Sequence, residues 1–262
     1  MKVEALIATM DQSDDSILEK MNIRSDAIIV NQCDHFHWHV YEQNGQRICS
    51  LSCAERGVGL SRNTALMRAE GDICLFSDDD LIYCNDYVEK LTQTFRDYPK
   101  ADVIVFNIHS IGDFKHRYQI ERPKRIRWFN YMRYGTARIA IKRTSILKKH
   151  ISFSLLFGGG AKYSSGEDTI FLHDCLKAGL LIYAVPILMA DIDDSKSSWF
   201  HGYDERFFSD RGALYAAIYG KAATLHSILY LLRHRKVWIQ NRGFFDCLRV
   251  MRNGSKQFRS RR

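Results

Sequence analysis

Residues 57–80 read GVGLSRNTALMRAEGDICLFSDDD, a helix signal, a glycine and an apolar run that ends in three acids. Ser61 is a good N-cap and Gly71 a good stop, so SRNTALMRAE predicts a helix. The apolar run GDICLF, bounded by Gly71, predicts a buried strand. That strand runs into Asp78, Asp79 and Asp80. Carboxylates clustered at a strand end repel one another and lose hydration, so solvent or a divalent cation must offset them. In an extended chain Asp78 and Asp80 point to the same side. The pair offers hard oxygen ligands to Mg²⁺ or Mn²⁺, a cation that keeps several waters and takes substrate phosphates as further ligands.

Working outward, VEALIAT reads as a first buried strand and SDDSILEKM as a helix capped near Ser13 or Asp14. DAIIVNQ is a second apolar strand, and Asn44-Gly45 inside HVYEQNGQRICS is the strongest short hairpin signal. NDYVEKLTQTFRDYP predicts an amphipathic helix, ADVIVFNI a strand, TARIAIK a strand and LLIYAVPI a strand. FGGGAKYSSGED is glycine-rich and expected to be a mobile loop, leading into the helix DTIFLHDCLKAG with Gly179 as its stop. Alternating strands and helices describe an α/β fold, a mostly parallel sheet with helices on its faces. Ligands of such sheets bind at the carboxyl ends of strands, where the three aspartates sit.

Hydrophobic content of 46% and aromatic content of 12% suit a packed core, and 3 prolines without low-complexity sequence argue against a flexible linker. The 7 cysteines make no C-x-x-C pair and no zinc spacing, which fits reduced thiols in a cytosolic protein. No signal peptide is expected, since MKVEALIATMDQSDD turns acidic after a short apolar run. Residues 213–232 are the nearest approach to a transmembrane helix, but Lys221 and His226 interrupt them, and a buried or interfacial helix pair is expected instead. Net charge is +8. From Arg233 to Arg262 ten Lys and Arg face the single acid Asp246, so that segment carries +9 and the rest about −1. With Trp238, Phe244 and Phe245 among its charges, the basic tail suits an anionic membrane surface; a solvated helical tail is equally compatible.

Two further places carry chemistry. Glu167 and Asp168 follow Gly166 at a helix start, where acids complement the dipole or one of them serves as a general base. RGVGLSRN, residues 56–63, puts Arg62 and backbone amides near a helix start, suited to a phosphate, or Arg62 in a surface ion pair. Its spacing is not that of a nucleotide P-loop.

Residues 57–80 with GEDTIFLHDCLKAG, residues 166–179, resemble the arginine-asparagine helix, D-x-D motif and E-D motif of glycosyltransferase family 2. These GT-A enzymes extend bacterial polysaccharides, including capsule, exopolysaccharide and O-antigen. The resemblance runs from about Val3 to Asp210. It implies a GT-A domain over 1–210, with a nucleotide-sugar half at about 1–110, an acceptor half at about 111–210, and a basic helical extension at 211–262. By similarity Asp78 and Asp80 hold Mn²⁺ or Mg²⁺ on the donor diphosphate, Asp79 contacts the sugar or ribose, and Asp168 is the catalytic base with Glu167 beside it. Arg62 and Asn63 brace the nucleotide side and Thr9 lies near the base. The second strand ends IVNQCD where relatives carry an aspartate, so Asn31, Gln32 or Asp34 remain candidates for reading the base. His201 is a candidate further metal ligand and a candidate structural histidine; Trp199 and Tyr203 are candidates for sugar stacking.

The implied reaction is inverting transfer from a nucleotide-diphosphate sugar, UDP by family habit, to a saccharide or lipid-linked acceptor. Localisation is expected to be cytoplasmic, with peripheral attachment to the inner membrane face through residues 233–262. A nucleotidyltransferase would need a basic, glycine-rich loop where TMDQSDD stands. An aspartyl phosphatase would place D-x-D after its first strand. A nucleic-acid binder built on the tail leaves both acidic motifs unused, and no nucleic acid is expected as a partner. The alternatives are a GT-A-like nucleotide binder without transferase activity and a binder of nucleic acid or an anionic surface through the basic tail.

Overall fold

The apolar run at the N-terminus becomes β1 (Val3–Met10), buried along nearly its whole length because helices cover both faces of the sheet it centres. The computed structural model describes residues 1–111, 118–193, 202–238 and 242–260. Among these, β2 (Asp26–Gln32) and β5 (Ile73–Asp78) flank β1, both in parallel. β4 (Gln46–Cys53) runs parallel to β2, and β3 (His37–Gln43) closes that edge antiparallel to β4. The hairpin turn is Asn44-Gly45, both at positive φ (53° and 74°), as a two-residue primed turn requires. Beyond β5 lie β9 (Ile139–Lys142), β7 (Val103–Ser110) and β10 (Ile182–Ile192); β9 is antiparallel to its neighbours, and β10 is parallel to β7. The short strands β6 (Leu81–Tyr83) and β8 (Lys124–Arg125) pair with β10.

Several helix starts differ from expectation. The helix α1 is a single turn, Ile17–Lys20, capped at Ser16 and not at Ser13 or Asp14. Asp15 is drawn to the hairpin instead, accepting from Tyr41 Oη and Ser50 Oγ at 2.8 Å each. The helix α2 (Val58–Arg68) starts a turn earlier than expected, leaving Ser61 buried inside it. Gly57, at φ 131°, is the cap, and the Gln32 side chain clamps it by donating to its carbonyl (3.1 Å) and accepting from its amide (2.8 Å). Gly71 is no left-handed stop. The buried carboxylate of Glu4 accepts from the Glu70 and Gly71 amides, and a Cβ at Gly71 would stand 2.7 Å from that of Glu4. This close approach seats α2 and the start of β5 against β1.

The helices α3 (Tyr87–Asp97) and α5 (Glu167–Lys177) follow expectation, and α4 (Arg143–Lys148) follows β9. TARIAIK divides into a 3₁₀ turn, Thr136–Arg138, and β9. The glycine-rich loop is tied down: Gly158 donates to Tyr163 O, Tyr163 to Leu156 O, and Val58 to Gly159 O, all within 2.9 Å.

The C-terminal region is three packed helices, α6 (Glu205–Tyr219), α7 (Ala223–Arg233) and α8 (Phe244–Arg259). A division at 210/211 falls inside α6. Glycines let α6 and α8 touch backbone to backbone: a Cβ at Gly212 would lie 2.0 Å from Met251 O, and one at Gly254 2.1 Å from Ser209 O. The apolar face of α8, including Cys247, Met251 and Phe258, joins Phe208, Leu214, Phe157 and Tyr163 in one buried cluster. Residues 244–259 are thus a structural helix bracing the 157–163 loop, and of the three tail aromatics only Phe245 is fully open to solvent. No helix among the described residues is long and apolar enough to cross a membrane. All seven cysteines are free thiols.

Candidate active site

The carboxyl end of β5 is reached from two directions. From α2, Arg62 lies 4% exposed, far from the surface ion pair that its sequence context allowed. Its Nη2 donates to Asp78 Oδ1 at 2.6 Å, and its Nη1 donates to Glu167 Oε1 at 3.0 Å, 105 residues along the chain. One buried guanidinium therefore joins Asp78 at the strand end to the start of α5. Burial opposes its charge, but the two carboxylates outweigh that and hold its pKa above the usual value. Fixed fork geometry suits arginine to such a double contact. A Cβ at Gly158 would come within 2.9 Å of the Glu167 carboxylate, so the glycine loop closes over the pair from the far side.

Asp168 follows on the first turn of α5, after Gly166 in the left-handed region at φ 116°. A Cβ on Gly166 would meet Leu214 at 2.8 Å, so α6 presses directly on the helix start. Asp168 Oδ1 accepts from the Thr169 amide and hydroxyl. Its Oδ2 faces Gly135, where an added Cβ would stand 3.7 Å away. Burial raises the Asp168 pKa to about 6, the negative charge of Glu167 adding to the effect, while Thr169 and Arg62 oppose it. A carboxylate tuned this way is deprotonated at neutral pH yet basic enough to accept a hydroxyl proton.

Asp79 and Asp80 lie in a turn past β5, not on an extended strand, so alternation does not place them. Thr9, at the end of β1, donates to Asp79 Oδ2 at 2.6 Å. The Asp80 carbonyl accepts from the Asp193 amide at 3.1 Å, joining the turn to the end of β10. Asp78 keeps a third of its side chain exposed beyond the contact with Arg62. Asp78 and Asp80 offer only carboxylate oxygens, a donor set that fits a hard divalent cation.

The other described candidates have partners of their own, and Asn31 stands beside Thr9 in the β1–β2 register. Asn63 spends its amide on the Phe153 backbone, donating to O at 2.9 Å and accepting from N at 2.7 Å, so it fixes Phe153 against α2. Asn31 is 5% exposed and clamps Gln12, accepting from its amide and donating to its carbonyl. Asp34 stands in solvent beside His35 at 2.9 Å. His201 and Trp199 lie outside the described residues. Tyr203 packs edge-on against Phe207. Gln32, weighed only as a reader of the base, proves to be the clamp on Gly57; nothing in a sequence pairs a strand-end glutamine with a glycine 25 residues on. A depression of about 450 Å³ between α1 and the β3–β4 hairpin lies at the amino ends of β2 and β4, away from these groups.

Comparisons with known proteins bear on the family and the fold. The sequence model of the family described as Glycosyl transferase family 2 matches residues 22–157, which include Arg62 and the aspartates and stop short of Glu167. No curated protein matches the chain. Among solved structures, S. aureus TarS 1–349 in complex with UDP-GlcNAc is similar at TM-score 0.65 and 16% identity, over 92% of this chain and 74% of that one. TarS 1–349 in complex with UDP gives TM-score 0.62 at 15% identity over the same shares. A longer TarS structure gives 0.63 at 15% identity over 89% of this chain and 43% of that one. The architecture is the Rossmann-like GT-A fold, and the chain belongs to glycosyl transferase family 2, as a glycosyltransferase.

Proposed function

We propose that the chain transfers a sugar from a UDP-sugar to a saccharide acceptor, with inversion, in synthesis of a bacterial surface polysaccharide. The observation that carries this reading is the Arg62 bridge, which brings a strand-end carboxylate cluster and a buried, raised-pKa aspartate into one site. TarS structures that hold UDP or UDP-GlcNAc supply the choice of carrier. Asp168 is the general base: its Oδ2, facing the space beside Gly135, takes the proton of an acceptor hydroxyl as that oxygen attacks the anomeric carbon. Glu167 holds Arg62 and raises the basicity of its neighbour. Thr9 orients Asp79 toward the donor. Asp78 and Asp80 would hold Mn²⁺ or Mg²⁺, which when bound offsets charge on the departing diphosphate. A lipid-linked saccharide is the acceptor proposed.

The test is thermal stability against a panel of nucleoside diphosphates with and without Mn²⁺. Binding to the folded state raises the melting temperature by mass action. A shift with UDP that requires the metal, and that Asp80→Ala abolishes, supports the reading. A folded protein that shifts with no nucleotide overturns it.

A further inference from the structure

Two exposed apolar patches meet on the face beside Asp168. On α7, Leu225, Leu229 and Leu232 are 56%, 53% and 61% exposed at helical spacing, while Ala223, Ser227 and Leu231 form the buried face. Exposed Lys221 and Lys236 extend that leucine stripe at either end. The second patch is the loop before Gly135, where Trp128 (55%), Phe129 (79%) and Met132 (37%) project outward. Tyr219 joins the patches: its hydroxyl lies 3.8 Å from Met132 Sδ, and its ring stacks at 3.4 Å on His226, the residue after Leu225. Residues 122–133, RPKRIRWFNYMR, contain five Lys and Arg and no acid, with Arg122, Arg125, Arg127 and Arg133 exposed.

Aromatic and leucine side chains flanked by cations match the interface of an anionic bilayer, apolar below and negatively charged at the headgroups. The location agrees with that occupant. Trp128 packs edge-on against His173 of α5 at 5.4 Å, and Gly135, two residues past Arg133, faces the Asp168 carboxylate. A substrate standing out of a bilayer at this face would meet the base first.

We infer that the surface formed by residues 122–133 and the outer face of α7 docks on an anionic phospholipid bilayer. The apolar face of α8 is not part of this surface, because it is spent on α6 and the 157–163 loop. The link to acceptor delivery rests on Asp168 as the base; the docking itself does not.

The experiment is co-sedimentation of the full chain with vesicles of phosphatidylglycerol and phosphatidylcholine, or of phosphatidylcholine alone, alongside size-exclusion chromatography. The variants are Leu225→Ser/Leu229→Ser/Leu232→Ser, Trp128→Ser/Phe129→Ser, and Phe245→Ser as the tail control. Binding to anionic vesicles only, weakened roughly tenfold or more by either patch variant and untouched by Phe245→Ser, is expected. UDP-dependent thermal shifts should be unchanged in all three, which separates a failure of docking from a failure of the donor-site reading. No binding by the native chain, equal binding by the patch variants, or an oligomer that the patch variants dissolve would each overturn the proposal, the last by showing a second copy on this face.

Discussion

Asp168→Asn tests the chemistry and the physical cause behind it together. In the folded chain the Asp168 pKa stands near 6 against an ordinary value of 3.8, and burial is the largest cause. The folded state thus holds a proton on this group that the unfolded state has already lost between about pH 4 and pH 6. Stability attributable to Asp168 is therefore full below that window, falls as pH rises through it, and is flat above. A difference of about two pKa units corresponds to about 3 kcal/mol, which bounds the effect. Asparagine keeps an oxygen for the Thr169 amide and carries no charge, so the variant should be more stable at pH 8 by up to about 3 kcal/mol. For a chain of this size that is roughly 5–10 °C in melting temperature. Below pH 4 native and variant should coincide. Transfer should fall by roughly 10²- to 10⁴-fold, the usual worth of a positioned base. The native rate should rise with pH through about 6 and then level. Melting scans at pH 4, 6 and 8, with initial rates across the same range, check both halves. A variant less stable than native at pH 8, or one retaining full activity, would refute the reasoning.

Arg62→Met leaves the Asp78 and Glu167 carboxylates facing each other without their shared cation. Breaking a buried pair costs about 3–5 kcal/mol, and the partial exposure of Asp78 puts this case at the lower end, readable by urea unfolding. Asn63→Ala loses two backbone contacts to Phe153 and should destabilise by about 1–3 kcal/mol while leaving the donor's dissociation constant unchanged; weakened donor binding would assign Asn63 to the nucleotide side. Gly212→Val forces α6 from α8 and should cost about 3 kcal/mol or more in thermal unfolding, whereas Asn253→Ala on the outer face of α8 should stay within about 0.5 kcal/mol.

What is local can be read directly from the residues. Alternating apolar strands and amphipathic helices define a mostly parallel sheet, Asn44-Gly45 specifies its hairpin, and the carboxylates at a strand end mark the side proposed for a ligand. Each depends on residues within a few positions of one another, where periodicity and turn chemistry act directly. Side-chain partnerships formed across the sheet were decided by tertiary structure. Helix α2 begins at Val58 because Gln32 clamps Gly57 from another strand, and α1 shrinks to one turn because Asp15 is satisfied by Tyr41 and Ser50. Arg62 reads on the page as suited to a phosphate or to a surface ion pair, yet burial between two distant carboxylates makes it the joint of the proposed site. The basic C-terminus reads as a solvated or membrane-facing tail because ten cations fall within its thirty residues, but Gly212 and Gly254 permit a helix crossing that takes up its apolar face. Composition counts charges and periodicity orients them within one element. Only folding sets which of them lose water and which partners they meet, and a group's pKa and chemistry depend on both.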